Sequence, residues 1–459
     1  MPLGACRLKR SILVLVLGLS ASLNFISCGG YAKTGPPSGL TNRVLASQGV
    51  SSTFTHGSLV IIDGFNDTLP RVSPLAAGSS PGLMAISPTR NIAAAFDPSN
   101  NTVYAVDTAK ESAVGNMHLP GPTSSMIFPT AFGIAYAAVP TATVNGFSFI
   151  GAVDVLNFSS GALTTIGVSN AQTVVASSNG NQLLVFSTDS DSVTVLSPGV
   201  AAPPVDTSCF TNPPNAVCTI VAEPQGSRPV YAVVSGNTAY ILNCGFECGG
   251  TTSGGAPATP SVAVLDLLSL TITSTVNVNG ATYGLLNGSQ LYVAGNGTPT
   301  GPLCASIANA AKTAATYCGT LDIVDVSTMT NPYFDSPGTE IAITDGYHNR
   351  MDLTANGQIF VGSHDCTNIG NVNNPSGGEI RGCLAIFKTT DNSVLFPPDN
   401  GDVNGLQGFV TRSVEYVAEG GNLRVYDTTK DILLINDFVP QGDIDIVGYV
   451  GDVKAIDFF

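Results

Sequence analysis

The sequence predicts an all-β protein: a single β-propeller of four-stranded antiparallel blades, eight by count with seven as the alternative, closed by both termini. Three observations lead there. Charged residues make up only 11 % of the 459-residue chain, against about 25 % in ordinary domains. Gly, Ser, Thr, Asn and Val fill the difference, a composition of short strands and tight turns. Four segments then repeat almost residue for residue: VVASSNGNQLLVFS from Val174, YAVVSGNTAYILN from Tyr231, YGLLNGSQLYVAG from Tyr283 and MDLTANGQIFVGS from Met351. Each reads as an apolar strand, a turn built on Asn and Gly, and a second apolar strand, which is a hairpin signal. Finally, the repeat recurs at spacings that come down to about 40 residues, the size of one blade.

The other strands follow in order. LMAISPTRNIAAAFD from Leu83 is a looser copy of the hairpin. A strand after each hairpin often closes on Asp, and these strands end near Asp63, Asp107, Asn157, Ser197, Asp266, Asp325, Lys388 and Asp427. A further strand precedes each hairpin, as in SLTITSTVNV and SVLFPPD. The expected unit is therefore a meander a–b–c–d with the Asp-ending strand last. The chain finishes on DILLINDFV, DIDIVGYV and DVKAIDFF and starts its β region with the lone strand GSLVIID. Joined, the two ends complete one blade and leave no open edge.

The N-terminus has a different character. Arg7, Lys9 and Arg10 precede an apolar run, Ser11 to Leu23, and then FISCGG. This order describes a secretory signal, and the run is too short for a comfortable membrane span. Ile26-Ser27-Cys28 resembles the bacterial lipobox, which implies lipidation of Cys28; an ordinary signal peptide cut nearby is the alternative. With the lipobox, Gly29 after the lipidated Cys implies sorting to the outer membrane, facing periplasm or cell surface. The expected division is 1–27 signal peptide, 28–56 flexible tether and 57–459 propeller. Removing the signal takes the net charge from −15 to −18. So acidic a chain repels nucleic-acid backbones and anionic lipid surfaces. Its membrane contact is then the lipid anchor, and nucleic acid is excluded as a partner.

Eight further cysteines fall as sequence neighbours: Cys209 with Cys218, Cys244 with Cys248, Cys304 with Cys318, and Cys366 with Cys383. In an exported chain such pairs become local disulfides. A zinc knuckle at Cys244 and Cys248 is the rival, but no His lies nearby to complete it. Three long loops, Asn243 to Pro260, Gly295 to Gly319 and Ser363 to Gly382, each hold a cysteine pair or most of one. They should share one face of the propeller, and long ordered loops on a rigid scaffold are where function sits.

Strands such as QLYVAGN and TVYAVDT resemble the YVTN-type, lactonase-like β-propeller repeat from about Gly57 onward. The resemblance implies the fold and spans lactonases, surface-layer proteins and envelope lipoproteins. No lactonase catalytic residue maps onto this chain.

One polar cluster stands out in the sixth blade. ITDGYHNRM supplies Asp345, His348 and Arg350, and SHDCTNIGN supplies His364, Asp365 and Asn368. Two of the four His in the chain fall here. Converging, they could bind a ligand, coordinate a metal or act as acid and base; a structural cluster shaping the turns is the bland reading. No cofactor or metal site is assigned. There is no CxxCH haem attachment, no GxSxG elbow and no P-loop. The His are too few for a copper enzyme, Trp is absent, and DGFND at Asp63 to Asp67 lacks the remaining ligands of an EF-hand. Two functions are left: a lipid-anchored envelope module binding a protein or glycan through the loop-rich face, which the sequence favours, and a lactonase-like or other hydrolase using the His/Asp/Arg cluster.

Overall fold

The structure, a computed structural model, describes residues 36–457 except 51–56, 131–132, 144–149, 198–206, 210–217, 299–317, 335, 337–338, 367–382, 398–400, 410 and 436–440. Its strands form eight sheets. The sheets are the blades of an eight-bladed propeller, so the alternative count of seven falls. Counting from Met84, blade 4 shows the pattern. Pro229–Ser235 is innermost, followed outward by Thr238–Asn243, Ser261–Asp266 and Thr271–Asn277. Blade 5 repeats it with Tyr283–Asn287, Gln290–Gly297, Cys318–Asp325 and Ile341–Ile343. Blade 6 uses Tyr347–Leu353, Gln358–His364, Leu384–Lys388 and Val394–Leu395. The innermost strands of neighbouring blades touch all round the ring.

The turns follow from the sequence. Ser235 pairs with Thr238 and Asn287 with Gln290, so each hairpin turn has two residues, opened by Gly236 (φ 58°) or Gly288 (φ 61°). Only glycine takes that left-handed conformation without strain. The Asp that closes five of the third strands (Asp63, Asp107, Asp266, Asp325 and Asp427) turns the chain outward. The Asp266 carboxylate accepts the Leu268 N–H at 2.8 Å, and Asp325 accepts the Ser327 hydroxyl at 2.6 Å and its N–H at 2.9 Å. These contacts hold both carboxyls below their ordinary value.

The strands read as continuous apolar runs because both faces of a blade are buried. In blade 5, Leu291 and Val293 pack on Tyr240 and Leu242 of blade 4. The alternate residues, Tyr292 and Ala294, pack on Ile359 and Val361 of blade 6. The outermost strand Thr271–Asn277 alternates between exposed and half-buried residues instead.

Two expectations need correcting. The Asp-ending strand is third from the channel, not last; the meander starts one strand later than expected, at the hairpin. The closing blade is also composed differently. Tyr449–Ala455 is its innermost strand, then Arg43–Gly49, then Ser58–Asp63. Arg43–Gly49 lies inside the segment expected as a tether, where RVLASQG is buried throughout. DILLINDFV does not complete that blade, and DIDIVGYV contributes only its last two residues, Tyr449 and Val450: Ile432–Leu433 and Asp443–Ile444 both pair with Asn422–Asp427 of blade 7.

A buried ion network latches the closure. The Arg43 Nη2 donates to Asp457 Oδ1 (2.8 Å), its Nε to Asp457 Oδ2 (2.9 Å), and its Nη1 to Glu111 Oε1 (2.9 Å). Arg43 and Glu111 side chains are only 6 % and 5 % exposed. Removing one partner strands the others in a water-poor site. Arg43→Ala is expected to cost about 3–5 kcal/mol of unfolding free energy. Lys110→Ala, which breaks the exposed Lys110–Asp107 pair, should leave stability nearly unchanged. Chemical denaturation of both variants checks this; equal losses would show that the latch carries no special weight.

Candidate functional site

The face where second strands end carries the stapled insertions. Directly after Thr238–Asn243, a short 3-10 turn, Gly245–Cys248, is closed by the Cys244–Cys248 disulfide. Cys366–Cys383 ties the base of the blade-6 insertion, and Cys209–Cys218 leads into the outer strand of blade 3. These three pairs match the sequence-order expectation. Cys318 is also disulfide-bonded, while Cys304 lies outside the described residues.

The two His singled out by sequence do not meet. Tyr347 pairs with His364 and His348 with Ser363. Neighbouring residues on a strand point to opposite faces, so the two imidazoles are on opposite sides of the sheet. His348 is fully buried, with its Nε2 2.7 Å from the Thr344 carbonyl. Burial pushes it down to about 4, against the Thr344 bond. It is a neutral core residue that holds the link between blades 5 and 6. His364 Nε2 sits 2.9 Å from the Val403 carbonyl of blade 7. Asp345 is buried, and its carbonyl accepts the Ser363 hydroxyl at 2.8 Å. Asp365 is exposed at φ 53° and donates its N–H to Asp402 Oδ1 at 2.8 Å. Asn368 lies outside the described residues. No group of three or more His, Cys, Asp or Glu that could hold a metal occurs among the described residues.

Arg350 belongs to a different arrangement. Tyr231 pairs with Leu242, Tyr283 with Ala294 and Arg350 with Gly362. Each partner is the fifth residue of its second strand. The three side chains therefore occupy one register position on three successive innermost strands. Tyr231 stacks on Tyr283, rings 4.4 Å apart and 22° from parallel, with hydroxyls at 3.4 Å. Arg350 donates from Nε to the Asn404 carbonyl (3.1 Å) and from Nη1 to the Asn349 carbonyl (2.9 Å). Asn404 Nδ2 in turn donates to the Tyr449 hydroxyl at 2.8 Å, on the closing blade. Tyr347 and Tyr449 are 49 % and 43 % exposed. An arc of tyrosines around one guanidinium thus runs from blade 4 to blade 8.

The stapled turn fixes this arc from above. Glu247 accepts both the Asn296 N–H (3.0 Å) and its Nδ2 (2.8 Å), and that Nδ2 also reaches the Gly346 carbonyl at 2.7 Å. Gly346 has φ 96°, and a Cβ there would lie 2.3 Å from the His364 carbonyl. Only glycine can deliver Tyr347 to this place. Burial pushes Glu247 up to about 7 against its bonds from Asn296. The Tyr231 hydroxyl is raised well above its ordinary value, first by burial and then by Tyr283, with Arg350 opposing. Arg350 is therefore the fixed charge of the arc. Arg43, Arg228, Arg412 and Arg424 each pair with a carboxylate; Arg350 pairs only with carbonyls among the described residues. The Tyr that opens YAVVSGN and YGLLNGS was a visible signal. Its stacking was not, because it depends on the contact between blades.

No family model matches the chain, and no curated protein matches it. Solved structures do. The chain is similar to the dihydro-heme d1 dehydrogenase NirN in complex with DHE, at 12 % identity over 91 % of this chain and 75 % of that one, with a TM-score of 0.56. Two further similar structures are BamB from Moraxella catarrhalis (12 % identity, 81 % and 89 % covered, TM-score 0.47) and Kuenenia stuttgartiensis hydrazine synthase (11 %, 87 % and 98 %, 0.44). At such identities the NirN likeness shows the propeller fold and nothing about its use.

The buried acids set a pH dependence. Burial lifts Glu247 and Glu223 from 4.5 to about 7 and Asp322 from 3.8 to about 6. A raised folded value gives stability that is complete below the unfolded value and lost as pH rises through the folded one. Asp266 and Asp325 have lowered values, so they lose their contribution in acid. The thermal midpoint should therefore peak between about pH 4 and 6 and fall toward pH 8. Glu247→Gln should exceed the wild type by a few degrees at pH 8 and converge with it toward pH 4. Scanning calorimetry across this range checks it; identical midpoints at pH 8 would contradict the assignment.

Proposed function

We propose that the protein is a lipid-anchored propeller of the bacterial envelope that binds a protein or glycan through its stapled face. The observation that carries this is the tyrosine–arginine arc at the inner rim of that face, braced by the Cys244–Cys248 turn. The half-exposed Tyr347 and Tyr449, beside the stacked Tyr231–Tyr283 pair, present an apolar surface with polar handles, at little cost in side-chain entropy. The YVTN-type resemblance and the lipobox-like FISC agree with an envelope setting. The anchor is Cys28, and the outer membrane is the destination that Gly29 implies. The hydrolase alternative needs His348 and His364 on one substrate, and their opposite orientations give it no support.

Two experiments test this reading. A fatty-acid probe in a bacterial host should label the wild type and not Cys28→Ser; equal labelling of both removes the anchor. A photo-crosslinking residue at Tyr347 or Tyr449 should then capture an envelope component. The same residue at Lys110 or Lys430, on turns of the opposite face, should capture none. Equal capture from both faces, or none from Tyr347 and Tyr449, overturns the binding-face reading.

A further inference from the structure

We propose that Arg350 is the carboxylate-recognising centre of a subsite for an acidic sugar, with Tyr347 and Tyr449 as its walls. The inference rests on the binding-face reading and names the ligand chemistry of that face.

The guanidinium is positioned before any ligand arrives. Nε and Nη1 are held by the carbonyls of Asn404 and Asn349. Nη2 has no partner among the described residues and is left to donate. A guanidinium fixed in this way matches a carboxylate better than a mobile ammonium does. The local balance also asks for an anion. The chain carries a net charge of −15, and Arg43, Arg228, Arg412 and Arg424 each already face Asp or Glu. Arg350 stands among carbonyls and tyrosines, a positive site in an acidic molecule. An incoming carboxylate supplies the partner that the chain does not.

The surrounding groups suit a hydroxylated, non-aromatic body. The Tyr347 ring is half-exposed and offers a flat apolar wall. The Tyr449 hydroxyl accepts from Asn404 Nδ2, so its own proton is free to donate. Tyr231 and Tyr283 already stack on each other, which closes the gap into which a planar aromatic ligand would slide. A sugar ring places an apolar C–H face, several hydroxyls and one carboxylate on a compact frame, and these are the three features the arc can meet. A peptide would present its carboxylate on a flexible stem and leave the tyrosine wall uncovered.

Calorimetric titration of the mature protein with glucuronate and galacturonate tests the idea, against glucose and galactose as neutral parents and a Glu-terminated tripeptide as the other acid. The expected result is binding of a uronate, at least tenfold weaker binding of its neutral parent and of the peptide, and loss of at least tenfold in Arg350→Gln. Arg350 bridges to blade 7, so the variant's thermal midpoint is measured alongside. Should it unfold, Tyr347→Ala removes only a half-exposed ring and should weaken the uronate severalfold. Tyr347→Phe should retain binding. Equal binding of uronate and neutral parent, stronger binding of the peptide, or unchanged affinity in a folded Arg350→Gln each overturns the proposal. Absence of uronate binding while Tyr347 still crosslinks its envelope partner would remove the sugar subsite and leave the binding face standing. Uronate binding without any crosslink would do the reverse.

Discussion

Everything in this molecule depends on pairing its two ends. Arg43–Gly49 is hydrogen-bonded to Tyr449–Ala455, and without that ladder the eighth blade has no second strand. A ring of sheets cannot tolerate the gap. Each blade buries its faces against two neighbours, so one missing blade exposes two apolar walls and a strand edge. Closing a loop of this length carries an entropic cost, though one that grows only slowly with length. The Arg43–Asp457–Glu111 network and the fully buried run Val44 to Ala46 offset it in one place.

Closure also makes the candidate site. Tyr449 opens the innermost strand of the closing blade, and its hydroxyl meets Asn404, which holds Arg350 through its carbonyl. Tyr449 of the closing blade and residues of blades 4 to 7 therefore shape one rim. The stapled turn at Cys244–Cys248 fixes Glu247, Glu247 fixes Asn296, and Asn296 fixes Gly346 beside Tyr347. This is preorganisation by backbone and amide contacts, which a rigid scaffold can sustain and a free loop cannot.

Most of the fold was legible in the sequence, and the parts that were not share a cause. The Asn-Gly hairpins, the Asp-ending strands and the local cysteine pairs are contacts between near neighbours, so their signals lie in consecutive residues. The phase of the meander is different. In a repeating array any strand can open the unit, and only the contact between innermost strands shows that Tyr231 and Tyr283 begin it. RVLASQG went unrecognised although one partner, Ser58–Asp63, is near in sequence; the partner that fixes its place in the ring, Tyr449–Ala455, lies some four hundred positions away. The His348/His364 cluster failed on parity. The pairs Tyr347–His364 and His348–Ser363 set the two imidazoles on opposite faces, and the irregular register between His348 and Arg350, invisible in a string of letters, returns Arg350 to the face of Tyr347. It also places Arg350 in register with Tyr231 and Tyr283.

Hydrogen exchange across the closing ladder tests the central claim most directly. In the mature protein, the amides of Val44 to Ser47 and of Val450 to Ala455 should be among the slowest to exchange, protected to the same degree as the second strands of blades 4 to 6. Exchange of these two segments at the rate of fraying termini, with blades 4 to 6 still protected, would show that the ends are not joined and would contradict the closed ring.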